Sequence, residues 1–196
     1  MIVSRVVNRQ EHESKRSAIV SAAAIQFATH GYQRSTTAEI CRAANISSGT
    51  FFHYFPTKLD SLVAVLESGN DDLRTELGRI ENSVSGLEAI RNYATVLASE
   101  LGDESFPVFV AGIAGLESHP RVAAALLMEA ELVANFLARN IEAGQANREI
   151  RKDATAQQLA TWTSWLLDGA SHAAATGHAP LGSNLHGGLH ALLEPH

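Results

Sequence analysis

The run from Thr36 to Phe55 constrains this chain most, because two helix starts stand in it on either side of a residue suited to a left-handed turn. Thr36-Thr37-Ala38-Glu39 has the form of a capping box, with Thr36 as the N-cap and Glu39 reaching back to it. Ile40, Ala43 and Ala44 give the short helix that follows an apolar stripe. Asn45 ends it, since asparagine tolerates the left-handed conformation better than most residues. Ile46 plugs the core behind the turn, and Ser47 or Ser48 caps a second short helix through about Phe55. Two helices joined this tightly form a helix-turn-helix, whose second helix fits a DNA major groove about 12 Å wide. Ser47, Ser48, Gly49 and Thr50 are small enough to let the backbone approach base edges, and His53 and Tyr54 carry hydrogen-bonding tips. Lys58 opens the next helix, where backbone N–H groups and a cation together suit a phosphate; Thr36 and Thr37 suit one at the preceding start.

Similar punctuation divides the rest of the chain. A first helix is expected from Ser14 to His30, with Ile19, Ala22, Ala23 and Phe27 on one face and Gly31 as a left-handed cap. After Pro56, Thr57-Lys58-Leu59-Asp60 is a second capping-box-like start, and Leu59, Leu62, Val63 and Leu66 carry a long helix toward Ile80. The polar stretch Asn82–Gly86 breaks the pattern. Further helices are expected near Leu87–Leu101, Phe106–Ser118, Arg121–Ala143, Ala154–Thr176 and Ser183–Leu193. Gly144 and Gly177 suit C-caps and Asp153 an N-cap. No segment alternates with period two, so the expected fold is all-α.

The net charge of −6 alone argues against nucleic-acid binding, but its distribution reverses that reading. Residues 1–58 hold seven basic and three acidic groups, against eight and eighteen in the remainder. A cationic head on an anionic body suits a DNA reader with a separate second domain. The single cysteine, Cys41, excludes an intrachain disulfide framework and is expected to be a small buried residue. No apolar run reaches the roughly 20 residues a membrane span needs, and Met1–Gln10 has no apolar signal core, so a cytoplasmic protein without membrane contact is expected. The chain has no Gly-x-Ser-x-Gly, no phosphate-binding glycine loop and no His-Glu-x-x-His, so no enzymatic activity is expected.

The run Arg16-x2-Ile19-x2-Ala22-Ala23-x3-Phe27-x3-Gly31-Tyr32, continued by Thr36-Thr37-x2-Ile40-x3-Ala44-x-Ile46-Ser47-x-Gly49-Thr50-x2-His53-Tyr54-Phe55-x2-Lys58-x2-Ser61-Leu62, resembles the DNA-binding domain of the tetracycline-repressor (TetR) family. Gly144-x4-Glu149-Ile150-Arg151-x-Asp153 and Leu166-Leu167-Asp168-Gly169 are similar to the family's weaker C-terminal pattern. Two departures stand out: Asn45 where glycine is common, and Phe51-Phe52 where the family commonly has Leu-Tyr. Phe52 has no hydroxyl to offer a phosphate, and Tyr54 is the candidate replacement. The resemblance implies a three-helix helix-turn-helix domain over 1–57, ordered from about residue 10. It implies a helical ligand-binding and dimerisation domain over 58–196 that includes the connecting helix 58–80. It also implies a homodimeric repressor of a palindromic DNA operator, released by a small-molecule effector. A regulator without an effector, controlled by a partner protein, is the alternative.

On that resemblance the operator contacts are Thr36, Thr37, Ser47, Ser48, Gly49, Thr50, Phe52, His53, Tyr54 and Lys58. The dimer interface is expected on the last two helices, through Leu159, Trp162, Leu166, Leu185, Leu189 and Leu192; intrachain burial is the other reading of those stripes. Phe106, Phe109, Val110, Ile113, Met128, Phe136, Trp162 and Trp165 are large groups in an alanine-rich body. Such groups either line a cavity for an apolar or amphipathic effector or form ordinary core. Gly112 and Gly115 are expected to allow close helix approach. Of the late histidines His172, His178, His186, His190 and His196, only His186 and His190 have metal-ligand spacing, and no third ligand stands near. No metal and no cofactor is expected.

Overall fold

In a computed structural model, the first helix runs well past its expected start: α1 covers Ile2–His30. The structure describes residues 2–177 and 181–195, with side chains over 11–177 and 184–195. Among the described residues there are nine helices and no strand. After α1 come α2 (Thr37–Ala43), α3 (Ser48–Tyr54), α4 (Lys58–Glu81), α5 (Leu87–Leu101), α6 (Ser105–Ile113), α7 (Pro120–Ala146), α8 (Ala156–Ala175) and α9 (Leu181–Leu193). No described helix is long and apolar enough to cross a membrane. His178 and His196 lie outside the described residues.

The chain forms two compact units interleaved in sequence, Met1–Gly69 with Val108–Ala125 and Asn70–Pro107 with Leu126–His196. The first therefore contains the whole expected head, the start of α4 and most of α6. In it α1 buries Ile19, Ala22, Ala23 and Phe27, and Gly31 ends the helix at φ +76°. Gly112 of α6 packs on that turn: a Cβ there would stand 2.6 Å from the Tyr32 nitrogen, which only glycine avoids. The expectation of close approach holds for Gly112. Gly115 is instead a turn residue at φ +85° with open space around it.

The second unit has one hydrophobic core. Leu77 and Ile80 of α4 meet Ile90, Tyr93 and Ala94 of α5, Phe136, Leu137 and Ile141 of α7, Leu159 and Leu167 of α8, and Leu185, Leu189 and Leu193 of α9. Asn140, buried in α7, stitches the α4–α5 turn to this core. Its Nδ2 donates to Glu81 Oε1 and Phe136 O, both at 3.0 Å, and its Oδ1 accepts from Gly86 N at 3.2 Å. Burying that amide is tolerable because donor and acceptor are both satisfied.

Two expected caps are corrected. Gly144 is not the end of α7, which continues to Ala146; a Cβ at Gly144 would stand 2.6 Å from Ile150 Cδ1, so glycine is needed there for packing. Asp153 is not the cap of α8. Thr155 is, with Gln158 completing a capping box, while Asp153 pairs with Arg151. Gly177 takes the left-handed conformation expected of it.

Candidate nucleic-acid interface

Three hydroxyl caps set the register of this region. Thr36 Oγ1 accepts from Glu39 N at 3.2 Å, and Thr36 N donates to Glu39 Oε2 at 2.8 Å. The Thr36 hydroxyl, which donates to Glu39 Oε2 at 2.7 Å, and then the Thr36 N–H on the same oxygen hold the Glu39 carboxyl below its ordinary pKa. Asn45 sits at φ 53°, and Ile46 N donates back to Cys41 O at 2.9 Å, closing the turn. Ser47 Oγ accepts from Thr50 N at 3.1 Å and starts α3. Thr57 and Asp60 repeat the device at the start of α4, through Thr57 N to Asp60 Oδ2 at 2.8 Å and Asp60 N to Thr57 Oγ1 at 3.1 Å.

α3 is held from below by two rings four residues apart. Phe51 is fully buried and Phe55 nearly so, with ring centres 5.9 Å apart. Because Phe51 and Phe55 face inward, helical periodicity turns Ser48, Gly49, Phe52 and His53 outward, and all four are exposed. The Phe52 ring is 49% exposed on this face. Thr50 is half-buried, its hydroxyl shared with Ser47 at 2.9 Å. Thr36 and Ser47 are exposed beside the two helix starts, and Thr37 is half-buried.

Two expected DNA contacts are placed differently. Lys58 turns inward: its ammonium donates to Tyr32 O at 2.7 Å and Ser35 O at 2.9 Å, and stands 4.2 Å from the centre of the Tyr32 ring. Burial lowers its pKa. A cation that satisfies two carbonyls past the end of α1 acts as a clip between α1 and α4. Tyr54 is half-buried, its ring 4.5 Å from that of His12. His12 and Arg16, whose guanidinium lies 5.4 Å over the Phe55 ring, are exposed α1 residues that the sequence did not single out as part of this surface. For His12 the extent of α1 was the missing signal, because it lies two turns before the buried stripe and ahead of the expected start at Ser14. Cys41 is buried, as expected.

The family model of bacterial regulatory proteins, tetR family, matches residues 19–65, which span α2, α3 and the turn between them. The chain is similar to the tetR family of bacterial regulatory proteins over this helix-turn-helix. The regulator UidR of Escherichia coli strain K12 is 26% identical over 146 residues, which are 73% of this chain and 72% of that one. The fold is that of solved tetR-family regulators: one from Agrobacterium tumefaciens has a TM-score of 0.77 at 19% identity, covering 93% of this chain and 99% of its own. FadR of Bacillus subtilis, solved in complex with stearoyl-CoA, has a TM-score of 0.70 at 17% identity over 90% of this chain and 97% of that one. The matches support a DNA-binding transcriptional regulator, and the curated relatives are regulators.

Away from the head, the expected effector and dimer residues separate by environment. Phe109, Val110 and Ile113 belong to the first unit, and Phe106, Met128, Phe136, Trp162 and Trp165 to the second. Phe136 is fully buried behind Tyr93, ring centres 5.6 Å apart, so it is core and presents no free face to a ligand. Leu159, Leu185 and Leu189 are likewise inside the chain's own core, and intrachain burial is the correct reading for them. Leu166 and Leu192 are half-buried at its edge. Trp162 and Trp165 are exposed on α8, and Met128 on α7. His186 stands beside Thr95, and His190 pairs with Glu194, so the two rings have separate partners.

Proposed function

We propose that this chain is a homodimeric repressor that reads a palindromic operator with the outward face of α3 and leaves it when an effector binds the second unit. The observation that carries the reading is the exposed set Ser48, Gly49, Phe52 and His53, mounted on the buried pair Phe51 and Phe55. Small residues at the N-terminus of α3 allow the backbone close to base edges. Phe52 offers apolar contact to thymine methyls instead of a hydroxyl to phosphate. Thr36, Thr37, Ser47 and Thr50 flank the backbone approach.

The dimer surface falls to the outward faces of α8 and α9. Trp162, Trp165 and Gly169 form one stripe on α8, and the exposed Gly187 and Ala191 leave room on α9 for rings from a second copy. Two helices from each copy make a four-helix bundle, as the family resemblance implies. That a similarly folded regulator was solved with a bound acyl thioester supports effector control here, with the ligand entering the second unit.

Selection from a random duplex pool with the full chain tests the reading. An inverted repeat with half-sites about 34–36 Å or a multiple apart is expected. Enrichment of a single asymmetric site, or of none, contradicts it. Loss of reporter expression from a promoter carrying the selected site separates repression from activation.

A further inference from the structure

The face of α1 that packs on the head continues past the core. Ile19, Ala23 and Phe27 are fully buried, and His12 and Arg16 extend the same face at helical spacing, both exposed. That face carries them onto the C-terminal end of α3. The His12 ring centre lies 4.5 Å from that of Tyr54 at an interplanar angle of 42°, and 6.3 Å from that of His53, edge to face. His53 in turn stands edge-on to Tyr54 at 5.4 Å. Tyr54 is half-buried and touches both imidazoles, which are exposed. One turn along α1, the Arg16 guanidinium covers the Phe55 ring. The groups that face His12 from α3 are His53 and Tyr54; on α1 its ionisable neighbours are Glu11, Glu13, Lys15 and Arg16.

A recognition helix seated in a groove needs phosphate contacts on its flanks to fix its register. Two residues suited to that task do not perform it here. Phe52 has no hydroxyl, and the Lys58 ammonium is turned to Tyr32 O and Ser35 O. His12 and Arg16 bring donors to the flank of α3 from α1 instead. A guanidinium stays charged across the neutral range, whereas an imidazole ordinarily changes charge between about pH 5 and 8. Packing on Tyr54 fixes the plane of the His12 ring while the residue stays exposed, so little freedom is lost when it meets a ligand. Two imidazolium groups as close as His12 and His53 repel, and an anion lying across them removes that repulsion.

We propose that His12 is an operator contact: as an imidazolium mounted on Tyr54, it donates to a DNA phosphate at the α1 edge of the recognition surface, and binding near neutral pH therefore takes up a proton. This rests on the reading of the chain as a DNA-binding regulator and adds to it a residue and a pH dependence. Tyr54 is a positioning residue. It answers for the missing hydroxyl at Phe52 through the ring it supports, not through its own phenol. By linkage, a complex that holds more protons than the free chain and free DNA is tightest at low pH, and its affinity falls as pH rises from about 6 to about 8. Arg16 supplies a neighbouring contact that does not change over that range.

Phosphate contacts are blind to sequence, so a labelled random-sequence duplex about 30 base pairs long serves as the probe for the full chain. Its fluorescence anisotropy is followed over a salt series at about pH 6 and about pH 8. The native chain is expected to bind at least roughly fivefold more tightly at the lower pH, with a salt slope steeper by about one for each His12 engaged. His12→Phe keeps a ring on Tyr54 without the charge. It is expected to match the native chain at the higher pH and to lose most of the gain at the lower. His12→Lys keeps a cation, and is expected to hold the tighter binding and the steeper slope at both pH values. Tyr54→Phe keeps the mount and is expected to behave as the native chain; loss of the pH dependence there would give the phosphate to the phenol and overturn the proposal. Native pH dependence in His12→Phe, or an equal loss at both pH values, also overturns it. A native chain that binds the duplex equally at both pH values refutes the His12 contact alone, and one that binds no duplex at either refutes the DNA-binding reading itself.

Discussion

The two units solve the same problem, satisfying polar groups around an apolar core, over very different distances along the chain. In the head the caps close within three residues: Thr36 with Glu39, Ser47 with Thr50, Thr57 with Asp60. The second unit has one such box, Thr155 with Gln158, but it adds far more remote ties. Asn140 reaches Gly86 across 54 residues, and Arg91 pairs with Glu194 across 103. Local closure makes each short helix of the head self-starting, so that α3 is rigid enough to present side chains to a groove. Remote closure leaves the second unit dependent on its whole core.

The comparison breaks first at α3. Phe51→Ala empties the fully buried anchor and is expected to cost about 3–5 kcal/mol, abolishing operator binding. Trp162 and Trp165 both lie in the second unit, so tryptophan fluorescence should still report a cooperative melt there. Loss of that melt as well would show that the units do not fold separately. Asn140→Ala is the counterpart in the second unit. It leaves Gly86 N without its acceptor, and about 1–3 kcal/mol of stability is expected to disappear from the tryptophan-detected urea transition.

Lys58→Met sharpens the account of the head. If the ammonium is a clip to Tyr32 and Ser35, roughly 1–3 kcal/mol of stability is lost and the slope of log K against log salt stays unchanged. A slope shallower by about one would return Lys58 to the phosphates.

The smallest effect is the opposite response of the units to acid. Glu100 and Glu129 have folded pKa values above their unfolded ones, so they bind protons more tightly when folded. Their contribution to stability is lost as pH rises through the folded values and regained as pH falls back through them. Asp60 is the reverse. Its hydrogen bonds from Thr57 and then Arg121 lower the folded pKa, so its stabilisation is present above the unfolded value and lost as pH falls through the folded one. Lowering pH from about 7 toward the ordinary carboxylate range should therefore raise the tryptophan-detected melting temperature. Unfolding of the head, followed by amide exchange, should become easier only at lower pH. A fall in both over the upper window contradicts the assignment of Glu100 and Glu129.

The same difference in distance explains what was legible beforehand. Thr36, Asn45, Ser47 and Thr57 announce the head because each cap and its partner lie within one helical turn, and periodicity alone turns Ser48, Gly49, Phe52 and His53 outward. The failures are contacts beyond one helical turn, from six residues to the far end of the chain. Lys58 looks like a phosphate ligand until Tyr32 and Ser35, 26 and 23 residues earlier, are seen to accept from it. Gly144 looks like a helix end until Ile150 packs against it, and Leu159, Leu185 and Leu189 show only a stripe, which does not say whether their partner is the same chain or another.

Repeating the duplex selection with the double variant Phe52→Ala/His53→Ala tests most directly whether the outward face of α3 reads bases. The inverted repeat should persist, with preference relaxed at one symmetric set of positions in each half-site. An unchanged motif would contradict the claim, because it would mean that sequence is read somewhere other than this helix.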